Sequence, residues 1–260
     1  MALSADHTGH AGEMPVRGGF AFKLFVVFAV LALLSAGISL AGRQAGRTIA
    51  MAGHSDDPTT REVVIGNDVL SVPANMIRFE EARRSGIASR LDLYLRWPEM
   101  DGYTHAARDA FNHADGQRGI IFLSFESRVM SRDMSGRYDP IYRSLIEPQG
   151  RVGPGDLSVH RFSEKSGYVD EVLVVGEAEG GDRFIARCLT GQAAVQSLAP
   201  CERDIHVGEA LNMVYRFPAE LAGSWRDMEA AVRRTAASML RTGAEPRQSR
   251  STSRIAIEKL

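Results

Sequence analysis

The apolar positions divide the chain into one unbroken run near the N-terminus and a long body in which apolar and polar residues alternate. Residues 24–41 (LFVVFAVLALLSAGISLA) contain no charge, and residues 20–22 extend the run past Lys23, whose aliphatic stem lets its ammonium reach lipid headgroups. A bilayer core about 30 Å thick needs about 20 residues of helix, so residues 20–41 are expected to form a single transmembrane helix. The competing reading is a cleaved secretory signal, cut near Ala41 and Gly42 or near Ala50 and Ala52. Signal cores hold about 7–15 apolar residues; this run is longer, and Arg43 and Arg47 follow it closely. Arg17 and Lys23 before the run balance Arg43 and Arg47 after it, so the positive-inside rule gives no orientation. The short leading segment and the cysteine spacing described below place the N-terminus in the cytoplasm and the body in the periplasm. Ala32 and Ala36, Ser35 and Ser39, and Gly37 and Ala41 recur at steps of four. That spacing lets two helices approach closely, but it is also common by chance in bacterial spans.

Polar segments flank the run. Residues 1–19 show no periodicity and read as a flexible tail, residues 42–61 as a stalk in which SDDPTT ends any helix, and residues 242–260 as an unstructured tail. The folded domain is expected over residues 62–241. Residues 62–73 predict two short strands around Gly66-Asn67-Asp68, which is hairpin-turn chemistry. Met76, Phe79 and Ala82 at helical spacing predict a short amphipathic helix over residues 74–84. In residues 90–97, Leu91, Leu93, Leu95 and Trp97 alternate with Asp92, Tyr94 and Arg96, a strand with one dry and one wetter face. Residues 119–129 read as a more central strand, with Ile121, Leu123, Phe125 and Val129 on one face and Ile120 and Phe122 on the other. Asp139-Pro140 opens a short helix carrying Ile141, Tyr142 and Leu145, and residues 147–156 form a Gly/Pro-rich loop. Strands are expected at residues 157–162, 171–175 and 183–189, followed by one over 205–217 that breaks near Gly208. After Pro218 the period changes: Leu221, Trp225, Met228, Val232, Ala236 and Met239 form one stripe on a helix of about five turns. Strands dominate, and short connections imply antiparallel pairing. The fold class is therefore α+β: an antiparallel sheet of six to eight strands with a long C-terminal amphipathic helix on one face.

A chain of 260 residues suits one or two domains. Its 31 basic and 32 acidic residues nearly cancel, which gives no electrostatic footprint for nucleic acid. Only Lys23, Lys165 and Lys259 are lysines; the remaining basic residues are arginines spread along the chain, as in a GC-rich bacterial genome. The cysteines, Cys188 and Cys201, enclose twelve residues. If the strand holding Cys188 pairs with the one after Cys201, the two face each other within disulfide range. Such a bridge suits an oxidising compartment; the other reading is two buried thiols.

Catalytic motifs are not visible. His105, Asp109 and His113 fall at steps of four, but on a helix the outer pair lies about 12 Å apart, too far for a shared metal, so they read as surface residues. Ser124, Ser127, Ser158 and Ser163 lie in no nucleophile motif, and His160 and His206 read as exposed sheet residues. Asp92 and Glu126 occupy polar strand faces without marking a carboxylate pair. Arg78, Arg83, Arg84 and Arg90 make a small basic cluster that Glu80 and Glu81 partly neutralise. No catalytic residue, metal ligand or cofactor site is expected; the disulfide Cys188–Cys201 is.

The stretch RCLTGQAAVQSLAPCERDIHVGEALNMVYRF, with the Trp225 helix behind it and the apolar run far ahead of it, resembles uncharacterised single-span, membrane-anchored periplasmic proteins of Gram-negative bacteria. The resemblance implies location and architecture and brings no activity or site residue. The expectation is a single-pass inner-membrane protein, held in the lipid bilayer through residues 20–41. Its periplasmic domain would serve, without catalysis, as a binding or accessory component of the cell envelope. Its partner would be another envelope protein or a second copy of the chain. The alternative is a membrane-tethered periplasmic hydrolase whose site is assembled from scattered residues, with His160 or His105 beside a carboxylate in a deep polar pocket.

Overall fold

The computed structural model of the chain describes residues 18–51, 53–113, 118–178 and 183–241. The expectations for residues 1–17 and 242–260 lie outside them. Two compact units meet at Ala52 and Gly53.

In the first unit the described residues form one helix, Gly18–Met51. Within it Phe22–Ser39 is apolar and long enough to cross a membrane, and none of that window is buried in the molecule. The helix runs ten residues past Ala41, so the first half of the expected stalk prolongs it and it ends before SDDPTT. Gly53, at φ +82°, lies just beyond its end, the left-handed conformation that commonly follows a helix C-terminus.

The second unit contains β1 (Thr60–Ile65), β2 (Asp68–Pro73), β3 (Gly86–Ile87), β4 (Arg90–Arg96), β5 (Ile120–Ser127), β6 (Arg151–Val152), β7 (Ser158–Arg161), β8 (Glu171–Glu177), β9 (Arg183–Leu189), β10 (Cys201–Val207) and β11 (Leu211–Phe217). Eight of them form one sheet in the order β4-β5-β11-β10-β9-β8-β7-β6, antiparallel throughout. A smaller sheet, β2-β1-β3, holds the expected hairpin and adds β3 parallel to β1. The C-terminal helix is Trp225–Met239.

Strand periodicity sorts the side chains of the large sheet. On one face Leu91, Leu93, Leu95, Leu123, Phe125 and Met213 are buried in a core shared with the small sheet and with Trp225, Met228 and Val232 of the helix. Trp225 seats that helix. Its ring lies 4.8 Å from the Phe184 ring, and its Nε1 donates to Gly155 O at 2.9 Å. Gly176 of β8 leaves room for it, since a Cβ there would come within 2.9 Å of the indole. Among the described residues the opposite face is covered chiefly near its ends, with the 130–137 segment reaching over β10 between them. Near β8 and β9, Leu173, Val175 and Ile185 pack against Met134, Tyr142, Ile146 and Phe162. Near β4, Tyr94 packs edge-on against Phe111, and His54 stacks on Tyr103 with ring centroids 4.7 Å apart.

Five expectations are corrected. Residues 74–84 form no α-helix, only the 3-10 turns Ala74–Met76 and Glu80–Ala82. The backbone between those turns is spent on the edge of β4: Ile77 bridges Leu93, and Arg78 N–H donates to Asp92 O at 2.9 Å. The expected strand over 205–217 is a hairpin, because Gly208 takes φ +60° and turns the chain. Val129 lies beyond the end of β5 and is 94% exposed instead of sharing the buried face of Ile121, Leu123 and Phe125. The short helical segment near Asp139-Pro140 begins at Tyr138, so that pair sits inside its first turn. The Gly/Pro-rich loop holds the two-residue strand β6.

Candidate functional site

The middle of the large sheet's second face carries polar side chains in register. One lateral row is Arg90, Glu126, Asn212 and His206, each directly opposite the next on β4, β5, β11 and β10. The adjacent row is Asp92, Ser124, Val214 and Asp204. A third continues from Arg216 through Glu202 to Arg187 of β9. Half-buried polar residues on the middle strands of a sheet are costly unless they are paired, so their partners show what the face is for.

Most of the charges are paired within the face. The Ser124 hydroxyl donates to Asp92, and Arg90 donates to both, at 3.0 Å to Asp92 Oδ1 and 2.8 Å to Ser124 Oγ. Arg137, from the segment that crosses the face, donates to Asp204. Arg187 pairs with Glu202 and lies 3.5 Å from Glu171. Burial raises the Asp204 carboxyl above its ordinary value, and the nearby Arg137 offsets this only in part. Burial raises Glu171 likewise against the pull of Arg187. Glu126 accepts from Asn212 Nδ2 at 3.3 Å. Three buried polar atoms on this face have no hydrogen-bond partner among the described residues: Asn212 Oδ1, His206 Nε2 and Arg187 Nε.

Here the segment carrying Met130, Met134 and Arg137 encloses a cleft of about 230 Å³ against the sheet. Glu126, Asn212, Asp204, Glu202 and Arg187 supply its polar lining, and Val129, Met130 and Val214 its apolar lining.

A larger cleft of about 720 Å³ lies where residues 133–139 approach the C-terminal helix. Its floor is a closed network. Arg203 donates to Glu229 at 3.1 Å and to Ile185 O at 2.9 Å, the Tyr215 hydroxyl donates to Glu229, and Arg233 donates to Glu229 at 2.7 Å. Burial disfavours the charge on Glu229, but Arg203 and then Arg233 outweigh it and hold the carboxyl below its ordinary value. Burial, reinforced by Glu229, holds the Tyr215 phenol well above its ordinary range. Every group in this network is satisfied, so it ties the helix to the sheet. The smaller cleft, with unmet donors and acceptors, is the candidate binding site.

Of the residues singled out in the sequence, Cys188 and Cys201 are brought together. They are directly opposed on β9 and β10, with Cα atoms 4.0 Å apart and an S–S bond of 2.02 Å. The histidines of the hydrolase alternative are not assembled into either cleft. His160 Nδ1 faces Glu147 O at 3.0 Å and packs beneath Gly150. His105 does meet a carboxylate, with Nε2 3.4 Å from Asp56 Oδ2, but on the surface, where its side chain is 60% exposed. Among the described residues no group of three His, Cys, Asp or Glu side chains is arranged to hold a metal. Two members of the basic cluster are spent on structure: Arg83 donates to Ile77 O, Arg78 O and Gly53 O, and Arg78 lies over the Phe122 ring. Asp92 and Glu126, expected only on the polar faces of their own strands, lie on one face of the sheet at diagonal positions of β4 and β5. What sequence reasoning missed was Asn212, Asp204 and Arg187 beside them, because only the strand order brings β9, β10 and β11 next to β5.

Fold and site together define the class: an α+β domain with an eight-stranded antiparallel sheet, polar on one open face, preceded by a long apolar helix. No protein-family model matches the chain, and no curated protein matches it. One similar solved structure is that of the Neisseria meningitidis iron-regulated outer membrane lipoprotein FrpD, at 9% identity and a TM-score of 0.43, covering 72% of this chain and 97% of that one.

Proposed function

We propose that the chain is a single-pass inner-membrane protein whose C-terminal α+β domain stands in the periplasm and works there as a binding or accessory component of the envelope, without catalysis of its own. The observation that carries the reading is the apolar window Phe22–Ser39, whose side chains find no cover within the molecule. An uncovered apolar helix of that length in water forfeits its hydrophobic burial; in a bilayer it gains it. The bonded Cys188–Cys201 pair suits an oxidising compartment. The polar open face, with its small cleft, supports a binding role. Among the described residues neither of the two clefts brings a nucleophile, a histidine and a carboxylate together, so they lend less support to the hydrolase alternative.

Cell fractionation and reporter fusions test this. The expected result is a chain that leaves the membrane pellet only with detergent, retains residues 20–41, and activates a periplasm-dependent reporter fused at its C-terminus. Recovery in the soluble fraction with residues 20–41 intact, or activity of a cytoplasm-only reporter at the C-terminus, overturns it. A mature chain lacking residues 1–41 replaces the anchor with a cleaved signal.

A further inference from the structure

We propose that residues 255–260 of this chain dock in the apolar groove between the segment 129–132 and the segment 137–141. The groove encloses about 550 Å³. Val129, Met130 and Ile141, three of the exposed large apolar side chains of the second unit, line it together with Pro140. Apolar side chains scattered singly over a surface need no explanation, but a set gathered in one groove marks an interaction surface. Seven residues line this groove, whereas each side of a stable interface between folded proteins presents about 20–30. The groove therefore suits a short segment and not a second folded domain.

The chain itself supplies such a segment. From Thr242 onward it carries no Val, Ile, Leu, Met or aromatic residue until Ile255, and Ile257 and Leu260 follow. In an extended segment Ile255 and Ile257 project to the same side about 7 Å apart, so both can enter one groove. The path to it is short. Arg241 N–H donates to Val69 O at 2.9 Å, and the neighbouring Asp68 accepts from the Glu209 and Ala210 amides. Arg128, next to Val129, donates its N–H to Ala210 O at 2.8 Å and its guanidinium to Glu209 O at 3.0 Å. Bonded or hydrogen-bonded neighbours lie about 4–6 Å apart between Cα atoms, which puts Val129 within about 30 Å of Arg241. The chain from Arg241 to Ile255 can reach about 46 Å when extended. Tethering of this kind gives an effective concentration of about a millimolar, so a modest affinity keeps the segment docked. The charges suit it as well: Arg132, exposed on the rim, can meet Glu258, and Asp139, exposed beside Pro140, can meet Lys259. Val129, Met130 and Arg137 line both this groove and the smaller cleft, so a docked segment narrows access to that cleft. This last consequence rests on reading the cleft as a binding site; the docking itself does not.

The test places a benzophenone amino acid at Ser131, in the lining of the groove, within the full chain. The chain is held in lipid nanodiscs, or in buffer if it is recovered without a membrane. Mass spectrometry maps the bonds formed on irradiation, and a mixture of 14N- and 15N-labelled chains separates bonds within a chain from bonds between chains. The expected result is a bond within one chain from position 131 to residues 255–260. Ile255→Asp with Ile257→Asp should lower its yield at least tenfold, and so should Ile141→Asp in the groove. The same photoreactive residue at Glu220, in the turn Ala219–Ser224 at the other end of the C-terminal helix from Arg241, should capture none of the tail. The melting transition of the second unit shows which variants are folded. The tail pair lies outside the described residues and decides the matter even if Ile141→Asp does not fold. The proposal is overturned if position 131 forms no bond to residues 255–260, or if the bond survives the tail substitutions. It is also overturned if Glu220 captures the tail equally well, or if bonds form only between chains, which would give the groove to a second copy. Any of these results leaves the anchor reading, tested by fractionation, where it stood.

Discussion

Two single residues show how local chemistry positions the whole second unit. Asp68, fully buried at the start of β2, accepts from the backbone N–H groups of Glu209 and Ala210 at 3.0 and 2.9 Å. It thereby ties the small sheet to the turn between β10 and β11, which closes tightly because Gly208 at φ +60° brings no Cβ toward the carboxylate. Hydrogen bonds to a charged acceptor contribute about 1.5–3 kcal/mol, so Asp68→Ala should lower the denaturant midpoint by an equivalent of about 2 kcal/mol with an unchanged slope. His54 acts on pH. Its ring stacks on Tyr103, its Nδ1 meets the Tyr94 hydroxyl at 3.2 Å, and Phe111 lies edge-on at 5.9 Å. Burial holds its pKa below the ordinary value; a hydrogen bond from the ring to Asn112 works against this, and the charges of Arg83 and His113 add to the lowering. The folded state thus favours neutral His54 more than the unfolded chain does. Its contribution is fully present above the unfolded pKa of about 6.5 and is lost as pH falls through the lower folded value. A comparison of melting temperature against pH should therefore show wild type losing more stability than His54→Gln between pH 7 and pH 5, and equal losses would refute the role assigned to this ring.

Elements were legible in the sequence in proportion to how locally they are determined. β4 follows from a period-two pattern over residues 90–97 and ends one residue short of it, at Arg96, while β9 fills the expected 183–189. The C-terminal helix follows from a stripe of six positions, and the residues of that stripe within the α-helix are all buried. The helix expected over residues 74–84 failed for a non-local reason: β4 has a free edge, and residues 77 and 78 satisfy it in place of their own helical hydrogen bonds. The binding cleft was half visible. Of its lining, Glu126 was placed on a wet face by alternation alone, but Asn212, Asp204 and Arg187 join it only through the order β5-β11-β10-β9, which no local pattern contains. Two long-range links make element-scale predictions. Trp225 anchors the helix through one ring contact and one hydrogen bond, so Trp225→Ala should cost about 3–5 kcal/mol by the usual penalty for emptying an aromatic site. The Cys188–Cys201 bridge closes a loop of twelve residues containing the short helix Gly191–Gln196. Chain-entropy arguments give such a loop about 3 kcal/mol, and the paired Cys188→Ala and Cys201→Ala variant should unfold earlier by that amount. Because β9 and β10 also pair around the bridge, that variant should keep the strand signal of wild type in circular dichroism below its transition.

At the scale of the whole molecule, the two units draw their stability from different solvents. The second unit buries its own core, with Leu123, Phe125, Ile205 and Met213 all inaccessible. The described residues of the first form no core: Phe25, Leu33 and Ile38 of the apolar window are 69%, 73% and 72% exposed. If a bilayer supplies the missing burial, perturbing the window should change where the chain goes without changing how the second unit folds. Leu31→Arg with Leu34→Arg places two guanidinium groups near the middle of Phe22–Ser39, at about 2.5–3.5 kcal/mol each for insertion of a charged residue at a helix centre. Together they exceed what the remaining leucines and valines return at about 0.3–0.6 kcal/mol apiece over several positions. The doubly substituted chain should therefore leave the membrane pellet without detergent. Reduced, purified and reoxidised, it should show the same second-unit melting transition and the same Cys188–Cys201 bridge as wild type. A soluble wild-type chain, or a shared collapse of membrane retention and second-unit folding, would show instead that the helix belongs to the folded body.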